Sequence, residues 1–104
     1  MKDLTIVKEI YGQLTKMYPQ KVMSWGAHKF QYVNETTIQF SVNGHHFKGQ
    51  IRIELDCGMD LYNIHYGHFK NFSWQNIETQ EGIYMDQVHE LIDKKIEWIE
   101  QYKD

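Results

Sequence analysis

Thr36-Thr37-Ile38-Gln39-Phe40-Ser41-Val42-Asn43-Gly44-His45-His46-Phe47-Lys48-Gly49-Gln50-Ile51-Arg52-Ile53-Glu54-Leu55 alternates apolar and polar residues on both sides of Asn43-Gly44, a dipeptide suited to two-residue hairpin turns. A turn at that dipeptide predicts Val42 opposite His45, Phe40 opposite Phe47 and Ile38 opposite Gly49, with Ile51, Ile53 and Leu55 continuing the same face. The other face takes Thr37, Gln39, Ser41, His46, Lys48, Gln50, Arg52 and Glu54. Such a sheet packs one face and leaves a polar one open.

Upstream of the hairpin, Val22 to Val33 reads as a strand. Bringing Phe30 and Tyr32 onto the Ile38/Phe40 face requires a connection of about three residues, Asn34 to Thr36. That register sets His28 opposite Val42 and directs Trp25, Ala27, Lys29, Gln31 and Val33 to the open face. Downstream, a four-residue turn of Asp56, Cys57, Gly58 and Met59 sets Ile53 opposite Tyr62 and Ile51 opposite Ile64, keeping Tyr62, Ile64 and Tyr66 on the packed side.

The flanks read as helices. Leu4, Val7, Tyr11 and Leu14 recur at three- and four-residue steps, with Ile10 and Met17 widening the stripe, so a helix is expected from Asp3 to Tyr18 and Pro19 stops it. From Asp86, an expected N-cap, the same period runs through Val88, Leu91, Ile92, Ile96 and Ile99, with Glu90 and Lys94 in the favourable i, i+4 order. Residues 67–82 follow neither a two-residue nor a 3.6-residue period and read as a fifth edge strand plus a loop. The expected fold is an α+β two-layer sandwich: a four-stranded antiparallel meander, five-stranded if that segment pairs, with both terminal helices on its apolar face in the order α-β-β-β-β-α. One domain should span residues 1–104, whose length suits a single core.

Composition narrows the function classes. With 41% hydrophobic and 14% aromatic residues the chain is globular, and its net charge of −3 gives no global attraction to nucleic acid or anionic membrane. Any basic site must be local. Cys57 is the only thiol, so no intramolecular disulfide forms, which suits a reducing compartment. No apolar run approaches the roughly 18 residues of a membrane span, and Met1-Lys2-Asp3-Leu4 does not open a signal peptide, so the expectation is a cytoplasmic protein. One Ala, one Arg and one Pro against ten Lys and eleven Ile fit AT-rich coding, so the expected source is a low-GC microbe, bacterial, or one of its mobile elements.

Catalytic and metal-binding patterns are sparse. Six histidines are dispersed, and the trio His46, His65 and His68 is the best candidate ligand set, yet no CxxC, HExxH or HxH spacing accompanies it. Cys57 lies next to Asp56, which disfavours a thiolate, and Glu54, Asp56 and Asp60 cluster where a turn wants polar residues. No P-loop, GxSxG or dinucleotide glycine pattern occurs. The sequence therefore names no catalytic residue, metal or cofactor.

Two surfaces remain. The open face collects Lys29, Lys48 and Arg52 with His46, His65, Gln31, Gln39, Gln50 and Asn63, against Glu54. Single-stranded nucleic acid binds such sheets through stacked aromatics, of which this reading offers Trp25 alone, and Phe47 to Arg52 departs from an RNP1 stretch after its glycine. The second surface is His68-Phe69-Lys70-Asn71-Phe72-Ser73-Trp74, whose large aromatics either close the core or meet a partner, with Trp98 and Tyr102 able to extend either role. The functional expectation is a small non-enzymatic binding or regulatory protein, contacting a protein partner or a second copy through Lys29, Lys48, Arg52, His46, His65, Phe69, Phe72 and Trp74. A nucleic-acid-binding module is the alternative, and membrane is not expected.

Overall fold

Five antiparallel strands in the simple order β1-β2-β3-β4-β5 form one open sheet, with helices before and after it. The computed structural model describes residues 4–17, 19–44 and 47–97, so His45, His46, Trp98 and Tyr102 lie outside the described residues. Helix α1 (Thr5–Met17) buries Val7, Ile10 and Leu14, the inner residues of its apolar stripe. A short α2 (Pro19–Ser24) follows, then β1 (His28–Tyr32), β2 (Thr37–Asn43), β3 (Lys48–Asp56), β4 (Leu61–Lys70), β5 (Ser73–Ile83) and α3 (Met85–Glu97).

The core lies between one face of the sheet and the helices. Ile38, Phe40, Val42, Ile51, Ile53, Ile64 and Tyr66 pack against Val7, Ile10, Leu14, Val22, Trp25, Val88, Ile92 and Ile96. Every sheet residue in that set belongs to the apolar alternation, so both terminal helices share one face as expected. Buried His89 of α3 donates from Nε2 to the Leu14 carbonyl at 2.7 Å and joins the two helices beneath Trp25, whose ring lies 6.0 Å away.

The registers differ from expectation, and by even numbers. Phe40 pairs with Ile51 and Val42 with Gly49, a slip of four residues from a two-residue turn at Asn43-Gly44. The connection instead runs over residues 44–47, closed by the Gly44 amide on the Phe47 carbonyl at 3.1 Å. Gly44 is required for close approach rather than for a left-handed turn: a Cβ there would lie 1.6 Å from Ile96 Cγ2. Phe47 leaves the sheet and packs edge-on against Tyr66 and over His68. Likewise Ile53 pairs with Ile64 and Ile51 with Tyr66, a slip of two. An even slip leaves every side chain on its original face, so the assignment of faces survives both corrections.

Three local readings also change. Residues 22–33 are not one strand: Pro19 opens α2, where its missing N–H costs nothing, and the chain turns at Gly26 (φ +66°) before β1. Trp25 is consequently buried in the core, not on the open face, and donates from Nε1 to Asp93 at 3.1 Å. Residues 31 and 32 keep the expected register with 39 and 38, but a bulge at Lys29 (φ +57°) moves His28 opposite Ser41 instead of Val42. Finally, α3 is capped by Tyr84, whose amide donates to Gln87 Oε1 at 3.2 Å as in a capping box, and Asp86 lies inside the first turn.

Residues 67–82 contain no loop. β4 runs on to Lys70, reverses through Asn71 and Phe72 with φ of 53° and 61°, and returns as the eleven-residue β5. Positive φ at both central residues marks a type I′ turn, so the two-residue hairpin of this protein occurs where no Asn-Gly announces it. Bulges between Tyr62 and Ile64 and between Tyr66 and Gly67 break the alternation and account for the missing two-residue period. No helix among the described residues is long and apolar enough to cross a membrane.

Candidate functional site

The face turned away from the helices is built around Arg52. On β3 it stands opposite Gln39 of β2 and His65 of β4, near the middle of the sheet. Its Nε donates to Gln39 Oε1 at 2.9 Å, and its guanidinium carbon lies 4.3 Å from the centroid of the Trp74 ring and 6.0 Å from that of Phe69. Backbone geometry permits this reach. Gly67 on β4 provides a gap in the open face, and a Cβ there would come within 2.9 Å of Trp74 Cζ2 and 2.3 Å of the Gln75 carbonyl oxygen. Trp74 therefore lies down over Gly67, and Arg52 extends across it as a cation over a π face. Partial burial lowers the Arg52 pKa from its ordinary value, but an arginine starts so high that it remains charged.

Phe69 reaches the same face because β4 overhangs β3. The β3–β4 ladder ends with Gln50 against Gly67, while the β4–β5 ladder continues to Lys70 against Ser73. The Phe69 amide, left without a strand partner, donates instead to the Gln50 side chain at 2.8 Å. The aromatic segment and the open face, expected as separate surfaces, are thus one surface at Phe69 and Trp74.

A chain of polar contacts fixes the rest. Trp74 Nε1 donates to Asn76 Oδ1 at 3.2 Å, and Asn76 Nδ2 donates to Thr79 Oγ1 at 3.0 Å. The Thr79 hydroxyl meets His65 Nδ1 at 3.0 Å, and His65 Nε2 donates to Glu54 Oε1 at 3.1 Å. Glu54 also accepts from Asn63 Nδ2 at 3.5 Å. Each link holds the next side chain's orientation, so the face is arranged in advance of any ligand.

Two depressions flank Arg52. One of about 330 Å³ is lined by Arg52, Glu54, His65, Trp74, Asn76 and Thr79 together with Asn34 and Thr37. The other, about 220 Å³, lies among Lys29, Gln31, Gln39, Ser41, Gln50 and Phe69. Gln39 is 7% exposed although none of the described helices covers it, because Arg52 overlies it. Sequence reasoning missed Asn34, Asn76 and Thr79, the last two because β5 had no readable register.

The expected site residues do not all converge. Lys29, Arg52, His65, Phe69 and Trp74 line the two depressions, and exposed Lys48 lies on the same face at the start of β3. Phe72 stands at the hairpin tip, 97% exposed, and lines neither. His65 and His68 point to opposite faces of β4, His68 stacking on Phe47 at 6.0 Å, so they do not approach a common ligand. Among the described residues no group of three or more His, Cys, Asp or Glu is arranged to hold a metal ion. Cys57 is exposed in the β3–β4 turn. No family model, curated protein or solved structure matches this chain.

Proposed function

We propose that this protein is a small binding or regulatory protein that acts without catalysis, holding a segment of a protein partner across the open face of its sheet. The observation that carries this reading is the position of Arg52, Phe69 and Trp74 together on a face that none of the described helices covers, between two shallow depressions. Aromatic and arginine side chains are the types that dominate binding energy at protein interfaces. The polar chain from Trp74 to Glu54 supports it further, because a surface arranged beforehand loses little entropy on binding.

Exposed Lys29 and Lys48 lie on this face toward the Asn43 end of β2 and provide the test. The double variant Lys29→Glu/Lys48→Glu should reduce capture of the native partner about tenfold, roughly 1.4 kcal/mol. Its Tm should stay within about 2 °C of wild type, as expected for exposed substitutions. Lys8→Glu/Lys16→Glu, which makes the same charge change on exposed positions of α1, should capture as wild type does. Equal capture by both double variants would sink the reading. Capture that is abolished by nuclease and falls steeply with salt would replace it with nucleic-acid binding.

A further inference from the structure

Arg52 is the only arginine in the chain, and the acid that shares its depression, Glu54, is engaged by His65 and Asn63 instead. Among the described residues the ion pairs join His65 to Glu54, Lys94 to Glu90 and Lys95 to Glu78, and none includes Arg52. Its one hydrogen bond uses Nε, to Gln39. Trp74 and Phe69 take the ring contacts, and the two terminal Nη groups, with four N–H donors, have no protein acceptor among the described residues. The guanidinium is thus held on one edge by Gln39 and on one face by Trp74, with its outer donors open to solvent and free to meet a ligand.

We infer that the 330 Å³ depression beside Arg52 is a carboxylate subsite, which receives one Asp or Glu side chain of an extended acidic segment in the protein partner. This rests on the reading of the open face as a partner-binding surface and names what that surface selects. The geometry sets the ligand. With Nε committed to Gln39, the remaining edge presents Nη1 and Nη2, two parallel donors that match the two oxygens of one carboxylate end-on. Stacking on Trp74 keeps the guanidinium plane in place, so a bidentate pair forms without ordering a flexible side chain.

Charge count separates a carboxylate from a phosphate backbone. Glu54 lines the same depression and opposes either anion, and a backbone phosphodiester carries one negative charge as a carboxylate does, so the difference lies in how many cations each ligand needs. A nucleic acid needs a row of cations along its backbone. On the open face the described cations are Lys29, Lys48 and Arg52, with Lys29 at the second depression, where it can meet a second acid of the same segment.

The lone arginine makes the test direct, because ¹⁵N-labelled full-length protein gives a single Nε–Hε resonance. Deca-L-glutamate, an uncharged Gly-Ser decapeptide and deoxythymidine decamer are titrated separately at low salt, following that resonance and the backbone amides. Deca-glutamate should shift the Arg52 resonance saturably and the other two probes should not. Arg52→Lys, which keeps the charge and loses the fork, should weaken deca-glutamate binding about tenfold, and Arg52→Gln should abolish it, each with amide dispersion preserved. The wild-type titration stands even if a variant fails to fold. A still Arg52 resonance with shifts in β1 and β5 amides would overturn the subsite and leave the partner-binding reading standing. No shift anywhere, or a shift with the thymidine decamer instead, would overturn the assignment of a carboxylate.

Discussion

Phe72 sits at the second central position of a type I′ turn with φ of 61°, where glycine is preferred because an L side chain meets its own backbone. The ring is 97% exposed, so it gains nothing from packing within this chain to offset that strain. Phe72→Gly should stabilise the protein by about 1 kcal/mol, read as a higher urea midpoint with an unchanged m-value. Gly67 is the converse case. It is buried, and a Cβ there would sit 2.3 Å from the Gln75 carbonyl oxygen and displace Trp74. Gly67→Ala should cost about 1–3 kcal/mol and disturb the Arg52 stacking, visible as a shifted Trp74 indole resonance.

Legibility at this scale follows what each residue needs. Alternation put Lys29, Arg52 and His65 on the open face, and their positions bear that out. Trp25 was misplaced because the same alternation was extended past Gly26, where the chain leaves the sheet. Gly44 carried a turn signal while the actual demand on it is room for Ile96, a contact with a residue distant in sequence.

Among the elements, β4 shows how local chemistry and tertiary position combine. Tyr66 is fully buried, donates its hydroxyl to Gln80 Oε1 at 2.8 Å and lies beneath the Lys95 ammonium, which itself pairs with Glu78. Burial, with a smaller contribution from Glu78, raises the Tyr66 pKa well above its ordinary value of 10.0. Burial raises that of Tyr62 as well, aided by Glu9 and Asp60. For both, the folded state holds a proton that the unfolded state releases first. Their contribution is therefore complete below about pH 10 and is lost as pH rises above it. Chemical denaturation at stepped pH should show stability falling above about pH 10, less steeply in Tyr66→Phe, which also loses about 1 kcal/mol at neutral pH with the hydrogen bond to Gln80. Registers within the sheet were less legible than faces. The hydrophobic period has a repeat of two and cannot separate slips of two or four, whereas the bulges of β5 erased even that period.

At the scale of the whole molecule, the arrangement of helices decides what remains available. Because α1, α2 and α3 close the apolar face, the other face keeps its polar residues, and the β4–β5 overhang brings Phe69 and Trp74 to it. The α+β layout and its one-sided packing were readable from periodicity alone; the meeting of Arg52 with Trp74 was not, since it depends on a glycine gap and an unannounced turn. We propose that this open face, and not the helical side, meets the partner. Benzophenone-bearing residues at Gln31 and Gln50 on the open face, and at exposed Glu90 on α3, test it by photo-crosslinking in native-host lysate. One common adduct from Gln31 and Gln50 and none from Glu90 is expected; an adduct from Glu90 with none from the face would place the partner on the helical side instead.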